Sequence, residues 1–236
     1  MKTLRTATTW SVLNCCTASD YRIHLLVWVI ALSPWSAGIG AELRAGIRDA
    51  AGNPVADAVI VVVPESGAVP EIKPGRDIVD QIDRQFVPYV KAIAAGTPVS
   101  FPNKDNIRHH VYSFSEAKRF ELPLYSGVPA DPVRFDTPGV VILGCNIHDW
   151  MIGYIYVAES PWFAVTDAGG RGLIRDLPAG RYHARSWHPR METDQKDTMQ
   201  TVDLVTAPAA ELSWVLKLKP DIRPRRAPMG GVRGYR

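Results

Sequence analysis

The sequence has little cysteine, little excess charge and little helical periodicity. It contains three cysteines, of which Cys15 and Cys16 lie near the start and Cys145 stands alone in the remainder. The net charge is only +3, and the excess of cations over anions lies in residues 1–22 and 220–236, so the stretch between them is slightly acidic. A basic nucleic-acid-binding core is excluded, because such proteins concentrate cations on their folded domain. With 46% hydrophobic and 22% charged residues, global disorder is excluded as well.

The first 41 residues have the order of an export signal. Basic residues precede an apolar run over 24–32, Pro34 interrupts it, and small residues lead to Ala41. The run is too short for a membrane anchor, and no other stretch is long and apolar enough to span a bilayer. We therefore predict a signal peptide over 1–41 with cleavage after Ala41. The expected product is a periplasmic or secreted protein without a transmembrane segment.

Residues 220–236 are predicted to form a flexible basic tail. Arginines, prolines and glycines dominate this stretch, and such a composition cannot form a core. Two interpretations stay open. The tail either docks on an acidic surface, such as a protein or an anionic lipid, or it only increases solubility.

Short strand-like runs recur along the middle of the chain, and turns rich in glycine and proline separate them. They lie at 58–63, 99–101, 111–114, 140–143, 154–157, 182–187 and 212–218. Such spacing is typical of an all-β sandwich or barrel. The best helix candidate is 78–90, where Ile78, Ile82 and Phe86 recur every four residues. Because Pro88 cuts this pattern short, an extended conformation is the alternative.

Three side chains that can bind a metal follow one another at equal spacing: the thiol of Cys145, the imidazole of His148 and the thioether of Met151. Strands are predicted on both sides, so a tight loop can point all three at one atom. His109 and His110, beside the strand at 111–114, offer a second imidazole. Two histidines, one cysteine and one weak methionine are the ligand set of a blue-copper site.

Other kinds of site fit this set less well. A structural zinc site would favour more cysteines or a carboxylate, and a copper centre bridged by two thiolates needs a second cysteine. A Cys–His nucleophile has no use for Met151. A buried cysteine with unrelated neighbours is the remaining alternative, because methionine is often only a core residue. We predict one copper ion that cycles between Cu(I) and Cu(II), and no catalytic residues.

Residues 135–157 resemble the C-terminal half of a cupredoxin, and the spacing of Cys145, His148 and Met151 is similar to that of amicyanin. Plastocyanin has a longer gap before its methionine. Residues 96–105 resemble the early strand and turn that lead to the first histidine ligand of this family. The resemblance covers 78–158. It implies a cupredoxin Greek-key β-sandwich with the metal ligands His109, Cys145, His148 and Met151.

The resemblance has one departure, at His110. The family has asparagine directly after its first histidine ligand, and here His110 stands at that position. Neighbouring residues of a strand face opposite sides, so only one of the two histidines is expected to bind the metal, and the resemblance favours His109. Whether His110 replaces the hydrogen bonds of the asparagine stays open. The family also implies a solvent-facing edge of His148, with Trp150 on an apolar rim.

Residues 43–61 resemble the opening of transthyretin-like modules of the carboxypeptidase-regulatory type, with a turn at Gly52-Asn53-Pro54-Val55 between two strands. The expected continuation occurs only at 166–182, where it includes a Leu-Pro-x-Gly-x-Tyr turn. We therefore predict that 42–70 and 159–219 form one small transthyretin-like β-sandwich, interrupted by the copper domain at 78–158. Domain termini usually lie close together, which makes insertion easy. Two tandem modules are the alternative. His183 and His188 are interpreted as structural.

These patterns predict an exported type 1 copper protein that carries single electrons between redox partners and is not an enzyme. The resemblance, which extends to methylamine-utilisation-type cupredoxins, implies a dehydrogenase or a cytochrome as partner. A copper-delivery protein is one alternative. It would favour additional methionine or histidine clusters, and the chain has only five methionines. A scaffold or adhesion module is the other alternative.

Overall fold

The structure is a computed structural model, and it describes residues 40–71, 73–129 and 131–221. The predicted signal peptide up to residue 39 and the predicted tail beyond residue 221 lie outside this range. Ala41 is the first residue of the first strand and is buried. The predicted cleavage after Ala41 would therefore remove a residue of that strand.

The described residues are built almost entirely from β-strands, and they contain no α-helix. The strands are β1 (Ala41–Asp49), β2 (Val59–Pro64), β3 (Asp77–Ile78), β4 (Asp80–Ile82), β5 (Gln85–Val87), β6 (Val90–Ala94), β7 (Thr97–Ser100), β8 (His109–Ser115), β9 (Lys118–Tyr125), β10 (Val133–Phe135), β11 (Gly139–Cys145), β12 (Ile152–Ala158), β13 (Trp162–Val165), β14 (Arg171–Leu177), β15 (Arg181–Trp187), β16 (Gln200–Asp203) and β17 (Ala209–Leu216). A 3-10 turn, Gln195–Thr198, lies between β15 and β16. The all-β prediction is confirmed, and the stretch at 78–90 is extended.

Two sheets combine strands from both ends of the described chain. Their strand orders are β14-β1-β17 and β13-β2-β15-β16, and they share one buried core in which Leu43 and Ile60 meet Ile174 and Trp214. A buried threonine also links these two stretches of sequence. The Thr166 hydroxyl accepts a hydrogen bond from Ala58 N–H at 2.9 Å and donates one to the Val55 carbonyl at 2.8 Å. The predicted domain boundaries themselves stay a prediction.

The middle of the chain forms a five-stranded sheet, β6-β12-β11-β8-β9, and a three-stranded sheet, β10-β7-β3. Side chains from both sheets share a second buried core, which includes Val99, Phe135, Val141, Cys145 and Met151. This arrangement is consistent with a cupredoxin-like β-sandwich. No helix among the described residues is long and apolar enough to cross a membrane.

Strand β12 contributes to two cores, because successive side chains of a strand point to opposite faces. Ile155 and Val157 face the core around Cys145. Tyr156 and Ala158 face a third apolar cluster, which contains Val59 and Val61 of β2 and Val90 and Ala92 of β6. Strand β2 therefore packs against the outer face of the five-stranded sheet.

Candidate metal site

The predicted metal ligands come together because β8 pairs with β11. Cys145 ends β11, and Val111 of β8 is its antiparallel partner, so His109 lies next to the thiol. Residues 146–151 form a short loop before β12. Within it, the Met151 N–H donates to the His148 carbonyl at 2.9 Å. This hydrogen bond closes a turn that brings Met151 back into the core.

Two imidazoles and one thiol meet in a buried position. The Cys145 Sγ lies 3.8 Å from the Nδ1 of His109 and 3.8 Å from the Nδ1 of His148. All three ligand atoms lie within 4.8 Å of one another. The exposed fractions are 0% for His109, 4% for Cys145 and 8% for His148. Met151 is 2% exposed and belongs to the same apolar cluster as Cys145.

These distances suit a single metal ion held in a trigonal arrangement. Metal–sulfur bonds of about 2.3 Å and metal–nitrogen bonds of about 2.05 Å, 120° apart, place sulfur and nitrogen about 3.8 Å from each other. Both S–N separations have this value. Two histidines and a cysteine in a trigonal set, with a weakly bound methionine, are the donors of a blue-copper centre. The residues present therefore fit copper.

His109 is oriented by a carboxylate. Its Nε2 lies 2.7 Å from the Asp105 Oδ2, and the Asp105 side chain is 11% exposed. Burial alone would raise the pKa of Asp105, but the backbone N–H groups of Arg84 and Asp83 and the hydrogen bond with His109 hold this pKa below its ordinary value. The carboxylate therefore accepts a hydrogen bond from the Nε2–H of His109, which leaves Nδ1 on the side of Cys145.

The imidazole of His148, the second predicted ligand, is favoured in its neutral form. Burial lowers the pKa of His148, and the nearby His109 and Arg84 lower it further, while Asp105 acts in the opposite direction. A neutral imidazole is the form that binds metals. His148 keeps only 8% of its surface exposed, so the solvent-facing edge expected from the family is a small remnant. The ring of Trp150 lies 5.2 Å away and is 37% exposed.

His110 points away from the thiol. Its Nε2 lies 3.0 Å from the Glu121 Oε1, without the alignment of a hydrogen bond, and its ring is 5.9 Å from that of Tyr112. The structure therefore brings His109, and not His110, to Cys145 and His148. It places His110 on the opposite face of β8, where it faces Glu121 and Tyr112.

The other two histidines of the described residues lie elsewhere. His188 is buried and its Nδ1 accepts a hydrogen bond from Arg190 N–H at 3.2 Å, and His183 faces Thr201. Among the described residues, His109, Cys145 and His148 form the one cluster of His, Cys, Asp and Glu side chains with metal-binding geometry. The sequence interpretation missed Asp105 and Arg84, which contact or influence this cluster. The available signal was an acidic residue four positions before His109.

Neither a protein-family model nor a curated protein matches this chain. A copper-containing nitrite reductase from Thermus scotoductus SA-01 aligns with 41% of this chain at 26% identity, with a TM-score of 0.34. The alignment covers 25% of the reductase, so the chain spans about a quarter of that protein. A purple cupredoxin from Nitrosopumilus maritimus aligns with 35% of this chain over 99% of its own length, at 22% identity and a TM-score of 0.31.

A reduced amicyanin mutant aligns with 41% of this chain over 97% of its own length, at 20% identity and a TM-score of 0.32. Overlaps of this extent establish neither family membership nor function. The functional conclusion therefore depends on the geometry of the residues described above.

Proposed function

We propose that this protein is an exported type 1 copper protein that binds one copper ion through His109, Cys145, His148 and Met151 and carries single electrons between redox partners. The observation that supports this best is the convergence of two Nδ1 atoms on one buried thiol, each at 3.8 Å. Copper, when bound, supplies a one-electron couple between Cu(I) and Cu(II). The four protein ligands leave no open coordination position, which favours an electron carrier over an enzyme.

The chain's own residues prepare this site in three ways. Strands β8 and β11 fix His109 and Cys145 through their pairing, so the donors need little rearrangement. The low exposure of the cluster excludes water from the thiol. Cys145 is the free cysteine of the described residues, and its burial protects it from oxidation in an oxidising compartment, where an unpaired thiol is otherwise a liability.

The surface beside His148 is suited to a protein partner. Trp150 and Ile147 are 37% and 49% exposed, and they form an apolar border around the least buried ligand. The proposed partner is a redox protein such as a cytochrome or a dehydrogenase. The periplasm, or the exterior, is the proposed location, which the export-signal order of residues 1–41 supports.

We also propose that 42–70 and 159–219 form one discontinuous β-sandwich around the inserted copper domain at 78–158. The pairing of β1 with β14 and β17, and of β2 with β13 and β15, supports this division. The resemblance of residues 43–61 and 166–182 to transthyretin-like modules supports it as well.

A visible absorption spectrum of the Cu(II)-loaded protein tests the proposed function. We expect an intense blue colour that disappears on reduction, and no such colour in Cys145→Ser. His183→Gln is the matched control, because His183 lies outside the cluster, and it should keep the colour. A colourless wild type, or colour that persists in Cys145→Ser, would refute the site. Reversible one-electron voltammetry then separates electron carriage from copper delivery.

A further inference from the structure

We propose that Asp105 is a positioning residue, which fixes the orientation and tautomer of His109 and ties this ligand to the tip of the β4–β5 hairpin. The proposal rests on the copper site proposed above for its effect on the metal. The contacts that carry it involve only residues of this chain, so the role of Asp105 can also be tested in the metal-free protein.

The Asp105 carboxylate is held from three directions. Its Oδ2 lies 2.7 Å from the His109 Nε2. The same oxygen accepts a hydrogen bond from the Arg84 N–H at 2.9 Å, and Oδ1 accepts one from the Asp83 N–H at 2.7 Å. The backbone N–H of Asp105 donates to the Asn103 Oδ1 at 3.0 Å. A carboxylate fixed in this way cannot turn away from the imidazole at low cost.

This contact determines which nitrogen of His109 carries the proton. Both oxygens of the Asp105 carboxylate already accept hydrogen bonds from backbone N–H groups, so the Nε2 that faces Oδ2 is the donor of its own contact. An imidazole with its hydrogen on Nε2 has its lone pair on Nδ1, which is the atom that lies 3.8 Å from the Cys145 Sγ. Asp105 therefore keeps the metal-binding nitrogen ready before a metal arrives.

The other end of this network is a hairpin tip. Asp83 and Arg84 connect β4 to β5 and have φ angles of 53° and 58°. Both angles lie in the left-handed region that non-glycine residues rarely adopt, and two such residues make the turn preferred by two-residue hairpins. The Asp105 carboxylate accepts hydrogen bonds from both backbone N–H groups of this tip. A change at the tip is therefore transmitted to His109 through one side chain.

The effect on a bound metal follows from the charge and basicity of the contact. A carboxylate that accepts a hydrogen bond from a ligand imidazole raises the basicity of this ligand, and its loss typically reduces metal affinity about 10- to 100-fold. Asp105→Asn removes a half-buried negative charge and one acceptor oxygen while it keeps the shape. We therefore expect a 10- to 100-fold lower Cu(II) affinity and a higher reduction potential, because the more positive oxidation state loses most.

The first test uses the metal-free protein. Long-range 15N–1H spectra of the imidazoles at neutral pH should show His109 as a single Nε2–H tautomer in the wild type and as a mixture in Asp105→Asn. Asp149→Asn is the control, because it removes the same charge from an exposed residue of the loop at 146–151, called the ligand loop below. It should leave the His109 tautomer unchanged. An Nδ1–H tautomer in the wild type would overturn the proposal even if Asp105→Asn failed to fold.

The second test adds copper and separates the two proposals. Cu(II) affinity and reduction potential are measured for the wild type, Asp105→Asn and Asp149→Asn. A large change in Asp105→Asn alone supports the positioning role, and equal changes in both variants overturn it in favour of a general charge effect. If the wild type binds no copper, the proposed function fails, and the tautomer measurement still decides the role of Asp105.

Discussion

Gly153, near the start of β12, has no side chain, and a substitution there tests the packing beside the candidate site. Gly153 follows Met151 by two residues and pairs with Leu143 of β11. A Cβ added at Gly153 would lie 2.7 Å from the Cβ of Phe86 and 3.1 Å from two atoms of its ring. Phe86 is 2% exposed, and its Cβ is fixed by the backbone. The clash therefore cannot be relieved by a rotation of the ring.

The cost of Gly153→Ala can be worked out from two opposing effects. Overpacking a closed core costs about 1–3 kcal/mol. Replacing glycine by alanine restricts the unfolded chain and returns about 0.4–1 kcal/mol. We expect a net loss of about 1–2 kcal/mol in the free energy of unfolding. Gly46→Ala in β1 is the matched control, because its added Cβ meets nothing within 4 Å, and it should be neutral or slightly stabilising.

Urea unfolding of the metal-free variants, followed by tryptophan fluorescence, measures this difference. In thermal unfolding of the same variants, the melting temperature should fall by about 2–4 °C for each kcal/mol lost. Because relief of the clash would move β12 and the ligand loop, copper affinity should also fall in Gly153→Ala and stay unchanged in Gly46→Ala. If Gly153→Ala is as stable as Gly46→Ala, the described contact between Phe86 and β12 is wrong.

Two further predictions concern hydrogen-bonded hydroxyl groups, those of Tyr125 and Thr166. Burial raises the pKa of Tyr125 to about 12 from 10.0, so its contribution to stability, present below pH 10, is lost as the pH rises from about 10 to 12. The upper limit of about 2.7 kcal/mol falls to about 1–2 kcal/mol for a partly exposed ring. In Tyr125→Phe, the urea midpoint should fall less between pH 10 and 12 than it does in the wild type. An equal fall in both proteins would contradict this prediction. Thr166→Val leaves two buried backbone groups unpaired and should lower the free energy of unfolding by about 1–3 kcal/mol. The exposed control Thr201→Val should change it by under about 0.5 kcal/mol. Equal effects of the two substitutions would contradict the link that Thr166 makes between the two stretches of chain.

Strands with strong local patterns could be predicted from the sequence, and an edge strand could not. The valine-rich stretches that became β2 and β11 have a high β-propensity and clear turns on both sides. Strand β9 (Lys118–Tyr125) mixes charges with apolar residues and contains Pro123, which argues against a central strand. It lies at the edge of the five-stranded sheet, where proline is tolerated. Its assignment required knowledge of its neighbours.

The same division applies to the candidate site. Cys145 ends β11, and His148 and Met151 lie on the short loop that follows it, so their spacing alone could suggest that they meet. The contact of Asp105 with Asp83 and Arg84 depends on the pairing of β4 with β5. No local sequence pattern predicts this pairing. The cover that Trp150 gives His148 depends likewise on how the loop folds. Long-range contacts of this kind decide the orientation of the ligands rather than their identity.

Strand β12 connects the candidate metal site to the two sheets formed by the ends of the described chain, β14-β1-β17 and β13-β2-β15-β16. The ligand loop ends where β12 begins, so any displacement of this strand moves Met151. Its inner face is held by the core around Ile155, and its outer face by Val59 and Val61 of β2. The Gln195 Nε2 also donates a hydrogen bond to the Tyr156 hydroxyl at 2.7 Å. A strand packed on both faces cannot shift without opening two cores, because close-packed interiors resist small displacements. The sheets formed by the two ends of the described chain therefore stabilise the position of residues 146–151, the loop that carries His148 and Met151.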